Sequence, residues 1–193
     1  MSSIDELIQR LKEGNQRYAN GESVNVVTDV ETRQSLVGSQ QPFVAVLGCA
    51  DSRAIPELIF DAAIGELFAV RVAGNVANPQ NNGSLEYAVE HLGVSLIVVL
   101  GHQNCGAVSA TLDNYDGPGH IQSITEAISG VIEEIDGMPG DRLCNAVQAN
   151  ARRTAQLLRG TEPILSAAVE VGKLCIVPAY YDFEEGLVDF LDE

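Results

Sequence analysis

The sequence predicts an α/β fold: a mostly parallel four-stranded sheet flanked by helices, with a C-terminal antiparallel edge strand and an N-terminal helical arm. Short apolar runs rich in β-branched residues predict buried strands, as in residues 43–47 and 96–100. Stretches with apolar residues at helical spacing separate these runs, and this alternation is typical of a parallel sheet covered by helices. No repeat or linker divides the sequence. We therefore expect one domain, 1–193, made of an arm at 1–39 and an α/β core at 40–193.

The arm begins with an amphipathic helix. Ser3 and Glu6 form a capping box at its start, and apolar residues recur at helical spacing until the helix ends near Asn20. A polar connector follows at residues 23–39, with a short helical turn predicted at residues 30–37. A terminal amphipathic helix followed by such a connector often packs outside its own core, which favours a partner subunit as the surface it covers.

Strand and turn patterns define the elements of the core. The predicted strands are residues 43–47, 67–72, 96–100, 174–177 and 187–191. The predicted helices are residues 55–60, 84–91, 105–111, 121–135, 141–158 and 163–171. Residues that favour helix starts or stops mark four of these boundaries: Pro56, Ser84, Gly93 and Asp141. Residues 73–83 are rich in Gly, Asn and Pro and predict a loop, and residues 182–186 predict the hairpin before the antiparallel strand.

Charge and composition argue against several classes of partner. The net charge of −16, from 11 basic and 27 acidic residues, would repel nucleic acid and anionic membranes. No apolar stretch approaches the roughly 20 residues that a membrane span needs. The N-terminus lacks the pattern of a secretory signal, and four cysteines in a chain of this length favour reduced thiols or metal ligands over disulfides. We therefore expect a cytoplasmic protein.

Three potential metal ligands follow two of the predicted strands. Cys49 comes after the strand at residues 43–47, and both His102 and Cys105 come after the strand at residues 96–100. In open α/β sheets, ligands bind at the carboxyl ends of the strands. Two thiolates and one imidazole suit zinc and leave its fourth position open, as in catalytic zinc sites. The separation of Cys49 from His102 excludes a local zinc finger.

An acidic and a basic residue follow the first ligand at alternate positions. Cys49, Asp51 and Arg53 can point the same way in an extended turn. Arg53 can hold Asp51 in a bidentate pair, so that Asp51 stays ionised and orients a zinc-bound hydroxide. If Arg53 released it, Asp51 could itself occupy the fourth zinc position. Because two thiolates donate more charge than imidazoles, we expect the zinc-bound water to ionise at higher pH and activity to favour alkaline conditions.

These motifs resemble those of a known enzyme family. Cys-Ala-Asp-Ser-Arg at residues 49–53 and His-Gln-Asn-Cys at residues 102–105 resemble the β-class carbonic anhydrases, whose signature is Cys-x-Asp-x-Arg with His-x-x-Cys. The resemblance extends over roughly residues 4–191 and includes further matching segments at residues 65–71, 73–75, 86–89 and 179–182. It implies a lyase that reversibly hydrates carbon dioxide to bicarbonate and a proton. It also implies Zn²⁺ as the cofactor, bound by Cys49, His102 and Cys105, with Asp51 and Arg53 as the catalytic dyad.

The resemblance further implies a homodimer or higher homo-oligomer with its active site at the subunit interface. Four residues match positions that line the substrate pocket in plant-type members: Gln40, Phe68, Tyr87 and Gly106. The Gln40 amide and the Gly106 backbone N–H would donate to a substrate oxygen, while Phe68 and Tyr87 would form an apolar wall suited to a nonpolar gas. The chain has no Trp, which argues against the bicarbonate-gated closure of some bacterial members. A carboxysome or an organelle is an alternative to the cytoplasm for such an enzyme.

Two other functions fit the same residues. A hydrolase of carbonyl sulfide or carbon disulfide would use the same site, because both substrates are linear like carbon dioxide. A catalytically silent protein stabilised by zinc would keep the ligands. The Asp51–Arg53 pair argues against the silent protein, because a structural zinc needs a permanent fourth protein ligand.

Overall fold

The computed structural model describes residues 3–25 and 29–192, and within them five strands form a single sheet. The strands are β1 (Val44–Gly48), β2 (Leu67–Arg71), β3 (Leu96–His102), β4 (Cys175–Tyr181) and β5 (Val188–Phe190). Their order is β2-β1-β3-β4-β5, with every pair parallel except the antiparallel β4 and β5. The predicted fold class is therefore confirmed, including the antiparallel C-terminal edge strand.

Helices cover both faces of the sheet. They are α1 (Ile4–Ala19), α2 (Val30–Ser35), α3 (Pro56–Ile59), α4 (Pro79–Leu92), α5 (Gly106–Leu112), α6 (Ile121–Ile128), α7 (Val131–Glu134), α8 (Arg142–Arg159) and α9 (Ile164–Glu170). Successive residues of β1 point to opposite faces, so Val46 packs in the core beneath α1 and α3 while Leu47 packs in the core beneath α4, α8 and α9. No helix of the described ranges combines the length and apolarity needed to cross a membrane.

The N-terminal helix packs on the chain's own core, which corrects the expectation of a partner subunit beneath its apolar stripe. The predicted capping box is present, with Ser3 and Glu6 each accepting a hydrogen bond from the other's backbone N–H. Leu7 and Leu11 are buried in the core shared with α3 and the sheet. By contrast, α2 buries no residue. The predicted connector at 23–39 includes residues 26–28, which lie outside the described residues.

Two helical boundaries differ from the sequence prediction. Helix α4 begins at Pro79 instead of Ser84, because the Asn78 side chain accepts the Asn81 N–H at 2.9 Å and Pro79 suits a first helical position. The apolar stripe predicted as one helix at 121–135 is divided into α6 and α7. Helix α6 ends at Ile128, and the hydroxyl of its C-cap, Ser129, donates to the Glu126 carbonyl. The glycine that follows favours helix weakly.

Candidate metal centre

Three potential ligands meet at the carboxyl ends of two neighbouring strands. Cys49 directly follows β1, His102 ends β3, and Cys105 is the N-cap of α5. Because β1 and β3 are parallel, with Gly48 opposite Leu100, these positions share one edge of the sheet. The two sulfur atoms and a ring nitrogen of His102 lie within 4.8 Å of one another, and all three residues are buried. The spacing brings three donors together around one position for an ion.

The imidazole of His102 is oriented as a metal ligand. Its Nδ1 lies 2.9 Å from the backbone carbonyl oxygen of Gln103. Because a carbonyl oxygen can only accept, Nδ1 carries the proton and Nε2 keeps its lone pair. This Nε2 is fully buried and has no hydrogen-bond partner among the described residues. A buried acceptor without a partner is destabilising, and a metal ion bound there would satisfy it.

The two cysteine thiols shift each other's pKa in opposite directions. A hydrogen bond from the Cys105 thiol lowers the pKa of Cys49 to about 4, in spite of burial. The same contact, together with burial, raises the pKa of Cys105. A divalent metal would displace the thiol proton of Cys105 and bind both thiolates. The donor set of two thiolates and one imidazole thus fits zinc, which takes three protein ligands in catalytic sites.

A backbone amide also donates a hydrogen bond to the Cys49 sulfur. The N–H of Gly74, in a short 3₁₀ turn after β2, donates to Cys49 Sγ at 3.3 Å. The Gly74 carbonyl in turn accepts from Asn150 Nδ2 at 2.8 Å. Gly74 has a φ of 70°, and a Cβ at this position would lie 2.6 Å from Ile128 Cδ1. Both the backbone conformation and the close packing therefore require glycine.

Asp51 and Arg53 form a bidentate ion pair beside the ligands. Arg53 Nε donates to Asp51 Oδ1 at 3.0 Å, and Nη2 donates to Oδ2 at 2.8 Å. The Arg53 backbone N–H also donates to Oδ1, at 2.9 Å. These bonds from Arg53 hold the pKa of Asp51 well below its usual range, so the carboxylate is ionised. Asp51 Oδ2 lies 3.9 Å from His102 Nε2, which places the charge next to the ligand cluster.

Arg71 fixes the turn that carries both Cys49 and Asp51. Arg71 ends β2 and lies opposite Gly48 of β1. Its Nε donates to the Cys49 carbonyl at 3.0 Å, and its Nη2 donates to the Asp51 carbonyl at 2.6 Å. Sequence reasoning did not single out Arg71, Gly74 or Gln103. The available signals were an arginine at a strand end, a glycine after it, and a residue inside the His-x-x-Cys motif.

Of the four predicted pocket residues, only Gly106 lies beside the ligands in this chain. It follows Cys105 as the first residue of α5. Phe68 lies opposite Ala45, near the start of β1, and its ring centroid is 6.4 Å from that of Tyr87. Tyr87 is 47% exposed. Gln40 is also exposed, and it precedes the start of β1 whereas Cys49 follows its end.

Comparisons with known proteins give one consistent family. Residues 44–188 match the family model described as carbonic anhydrase. Carbonic anhydrase 2 of Mycobacterium tuberculosis is 37% identical over 182 residues, which cover 91% of this chain and 87% of the relative. The structure of a Coccomyxa β-carbonic anhydrase in complex with acetazolamide is similar at a TM-score of 0.74 and 28% identity, covering all of this chain and 88% of that one. A Sordaria macrospora enzyme, described as a tetrameric β-carbonic anhydrase, shares the fold at a TM-score of 0.78 and 23% identity, covering 97% of this chain and 98% of its own.

Proposed function

This chain belongs to the β-class carbonic anhydrases, and from that membership we propose that it catalyses reversible hydration of carbon dioxide at a zinc ion held by Cys49, His102 and Cys105. The observation that carries the proposal is the cluster of two cysteine sulfurs and a His102 ring nitrogen within 4.8 Å of one another. The buried Nε2 of that imidazole has no hydrogen-bond partner in the described part of the chain. Thiolate and imidazole together favour zinc over magnesium or calcium, which prefer oxygen ligands. When bound, zinc acts as a Lewis acid and makes a nucleophile from water at accessible pH.

Asp51 orients the attacking oxygen. Its carboxylate is ionised, only 18% exposed, and next to the ligand cluster. A carboxylate oxygen can accept several hydrogen bonds, so Asp51 can bind Arg53 and still accept the O–H of the nucleophile. Accepting that bond directs an oxygen lone pair toward carbon dioxide. Arg53 stays charged and therefore cannot accept the proton that the reaction releases.

We further propose that a second copy of the chain completes the substrate pocket. Support comes from Phe68 and Tyr87, whose paired rings lie near the start of β1 while the ligands lie beyond its end. Tyr87 and Gln40 are both exposed in this chain, so a partner subunit could contact them. The Sordaria relative is described as tetrameric. A homodimer is the smallest assembly that would bring these side chains to a neighbouring site.

The cysteines support a reducing compartment such as the cytoplasm. Cys49 and Cys105 lie close together, and both must stay reduced to bind zinc as thiolates. Disulfides are rare where glutathione and thioredoxin keep thiols reduced. We propose the cytoplasm on this basis, and localisation of the tagged protein in its own cells would test it.

The testing experiment is stopped-flow hydration of carbon dioxide between about pH 6.5 and about pH 9, where a zinc-dependent nucleophile should appear, with zinc measured on the same sample. We expect about one zinc per chain and a rate that rises toward alkaline pH, because two thiolates make the metal a weaker acid. Cys49→Ser should lose zinc and activity, whereas the matched Cys175→Ser, on β4, should keep both. Zinc at full occupancy with a background rate at every pH would refute the proposal. Carbonyl sulfide and carbon disulfide, assayed in parallel, would then distinguish a different hydrolase from a silent protein.

A further inference from the structure

The basic partner of the Asp51–Arg53 ion pair is largely exposed in this chain. The Arg53 side chain is 57% exposed, although it makes two of the three hydrogen bonds to the Asp51 carboxylate. Exposed ion pairs are typically weak, because water competes for both partners and two side chains must be ordered. A guanidinium in this setting needs a second contact to remain in one geometry.

Phe183 supplies that contact. The Arg53 Cζ atom lies 4.3 Å from the centroid of the Phe183 ring, which is the arrangement of a cation–π interaction. The same ring lies 5.3 Å from the His102 imidazole and 5.2 Å, edge to face, from Tyr181. One aromatic side chain therefore touches both the dyad and a predicted metal ligand.

The β4–β5 hairpin holds Phe183 in place. The Asp182 carboxylate accepts the backbone N–H groups of Glu184 at 2.7 Å and Glu185 at 3.0 Å, which stabilises the turn. The Phe183 N–H donates to Gln103 Oε1 at 3.0 Å. Gln103 is the residue whose carbonyl oxygen accepts from His102 Nδ1. The hairpin and the imidazole are thus bound to the same glutamine.

We propose that Phe183 is a positioning residue that holds Arg53 in the geometry that binds Asp51. The inference rests on the proposed function, in which Asp51 orients the nucleophile. Phe183 touches neither substrate nor the reacting atoms. The Phe183 ring covers one face of the Arg53 guanidinium and so restricts its movement. The packing of the same ring against His102 fixes the position of the ring.

The experiment compares Phe183→Leu, which removes the ring, with Phe183→Tyr, which keeps it. Phe190→Leu is the matched control, because Phe190 lies on the adjoining strand β5 and packs on Phe60. The first readout is the rate at which the Arg53 Nε–H exchanges with solvent, measured by ¹⁵N NMR on the zinc-loaded protein. The Arg53 signal is assigned as the one that disappears in Arg53→Lys. The second is the separation of kcat from KM for carbon dioxide hydration.

We expect Phe183→Leu to accelerate Arg53 Nε–H exchange and to lower kcat by about 3- to 10-fold, with KM nearly unchanged. Neither Phe183→Tyr nor Phe190→Leu should accelerate the exchange of the Arg53 Nε–H or lower kcat. The inference is overturned if Arg53 exchange in Phe183→Leu matches the control, even when kcat falls, because the ring would then act through general packing. The exchange measurement needs no turnover, so a wild-type protein without hydration activity would refute the proposed function separately.

Discussion

Arg71 and Asp51, which lie on neighbouring segments of the sheet edge, are joined by a hydrogen bond of 2.6 Å from Arg71 Nη2 to the Asp51 backbone carbonyl. The Arg71 Nε also donates to the Cys49 carbonyl at 3.0 Å. One side chain of β2 therefore fixes the backbone on which a metal ligand and the orienting carboxylate both stand. Their relative position depends on a residue that belongs to neither group.

Replacing Arg71 should impair catalysis without unfolding the protein. We expect Arg71→Met to lower kcat/KM for carbon dioxide roughly 10-fold, because two charge-assisted hydrogen bonds to the turn are lost. Arg33→Met, on the exposed helix α2, is the control and should behave as wild type. Unchanged kcat/KM in Arg71→Met would show that the turn holds its shape by itself.

Removing the charge of Asp51 should separate catalysis from metal binding. We expect Asp51→Asn to lower kcat about 100-fold while zinc content stays constant, because the amide is an uncharged, weaker acceptor and its NH2 group cannot accept from Arg53. The matched control is Asp189→Asn, on the exposed side of β5. Loss of zinc together with activity would instead make Asp51 a ligand in the resting enzyme.

Substituting Gly74 should weaken zinc binding. The added Cβ of Gly74→Ala would lie 2.6 Å from Ile128 Cδ1 and would strain a backbone with a φ of 70°. Relief of that strain should shift the turn and lengthen the N–H bond to Cys49 Sγ. We expect zinc affinity to fall about 10-fold or more, measured by competition with a chromogenic chelator. Gly93→Ala is the matched control, since Gly93 has nearly the same φ, 72°, with no atom within 4 Å of the added Cβ. If Gly74→Ala and Gly93→Ala have equal zinc affinities, any loss of affinity is due to backbone strain at positive φ and not to the contact with Ile128.

Asp61 should make stability depend on pH at acidic values. Burial alone would raise its pKa, but hydrogen bonds from the Asn25 N–H, the Arg17 guanidinium and the Val24 N–H outweigh burial and hold the pKa below its usual value. A carboxylate with a depressed folded-state pKa stabilises the fold at pH above its unfolded pKa of about 3.9, and this stability is lost as pH falls through the folded pKa.

The corresponding variant is Asp61→Asn. At pH 7 we expect its free energy of unfolding, measured by urea denaturation, to be about 2 kcal/mol lower than that of wild type, because a charge-assisted network is lost. The difference should shrink as pH falls from about 4, where Asp61 of the unfolded wild-type chain takes up a proton, through the lower pKa of the folded protein. If the difference in the free energy of unfolding stays constant from neutral to acidic pH, Asp61 stabilises the fold through its shape and not through its charge.

Local patterns were sufficient for the sheet and for the proposed ligands. The positions of Cys49, His102 and Cys105 after predicted strands indicated that they lie together, because parallel strands bring their carboxyl ends to one edge of the sheet. The structure confirms that the three residues cluster. The caps at Ser3 and Asp141 were also found from sequence, since a cap involves residues only three positions apart. The start of α4 was missed because asparagine and proline signal a loop as strongly as a helix N-terminus.

The fold class, the family and the chemical types gathered at the sheet edge follow from residue identity and short-range periodicity. The contacts that hold those groups in place follow from tertiary packing. Arg71 reaches across to the Cys49–Asp51 turn, and Phe183 comes to Arg53 from a hairpin 130 residues later in the chain. Such contacts depend on how distant segments pack, and the sequence near either partner carries no pattern that reveals them.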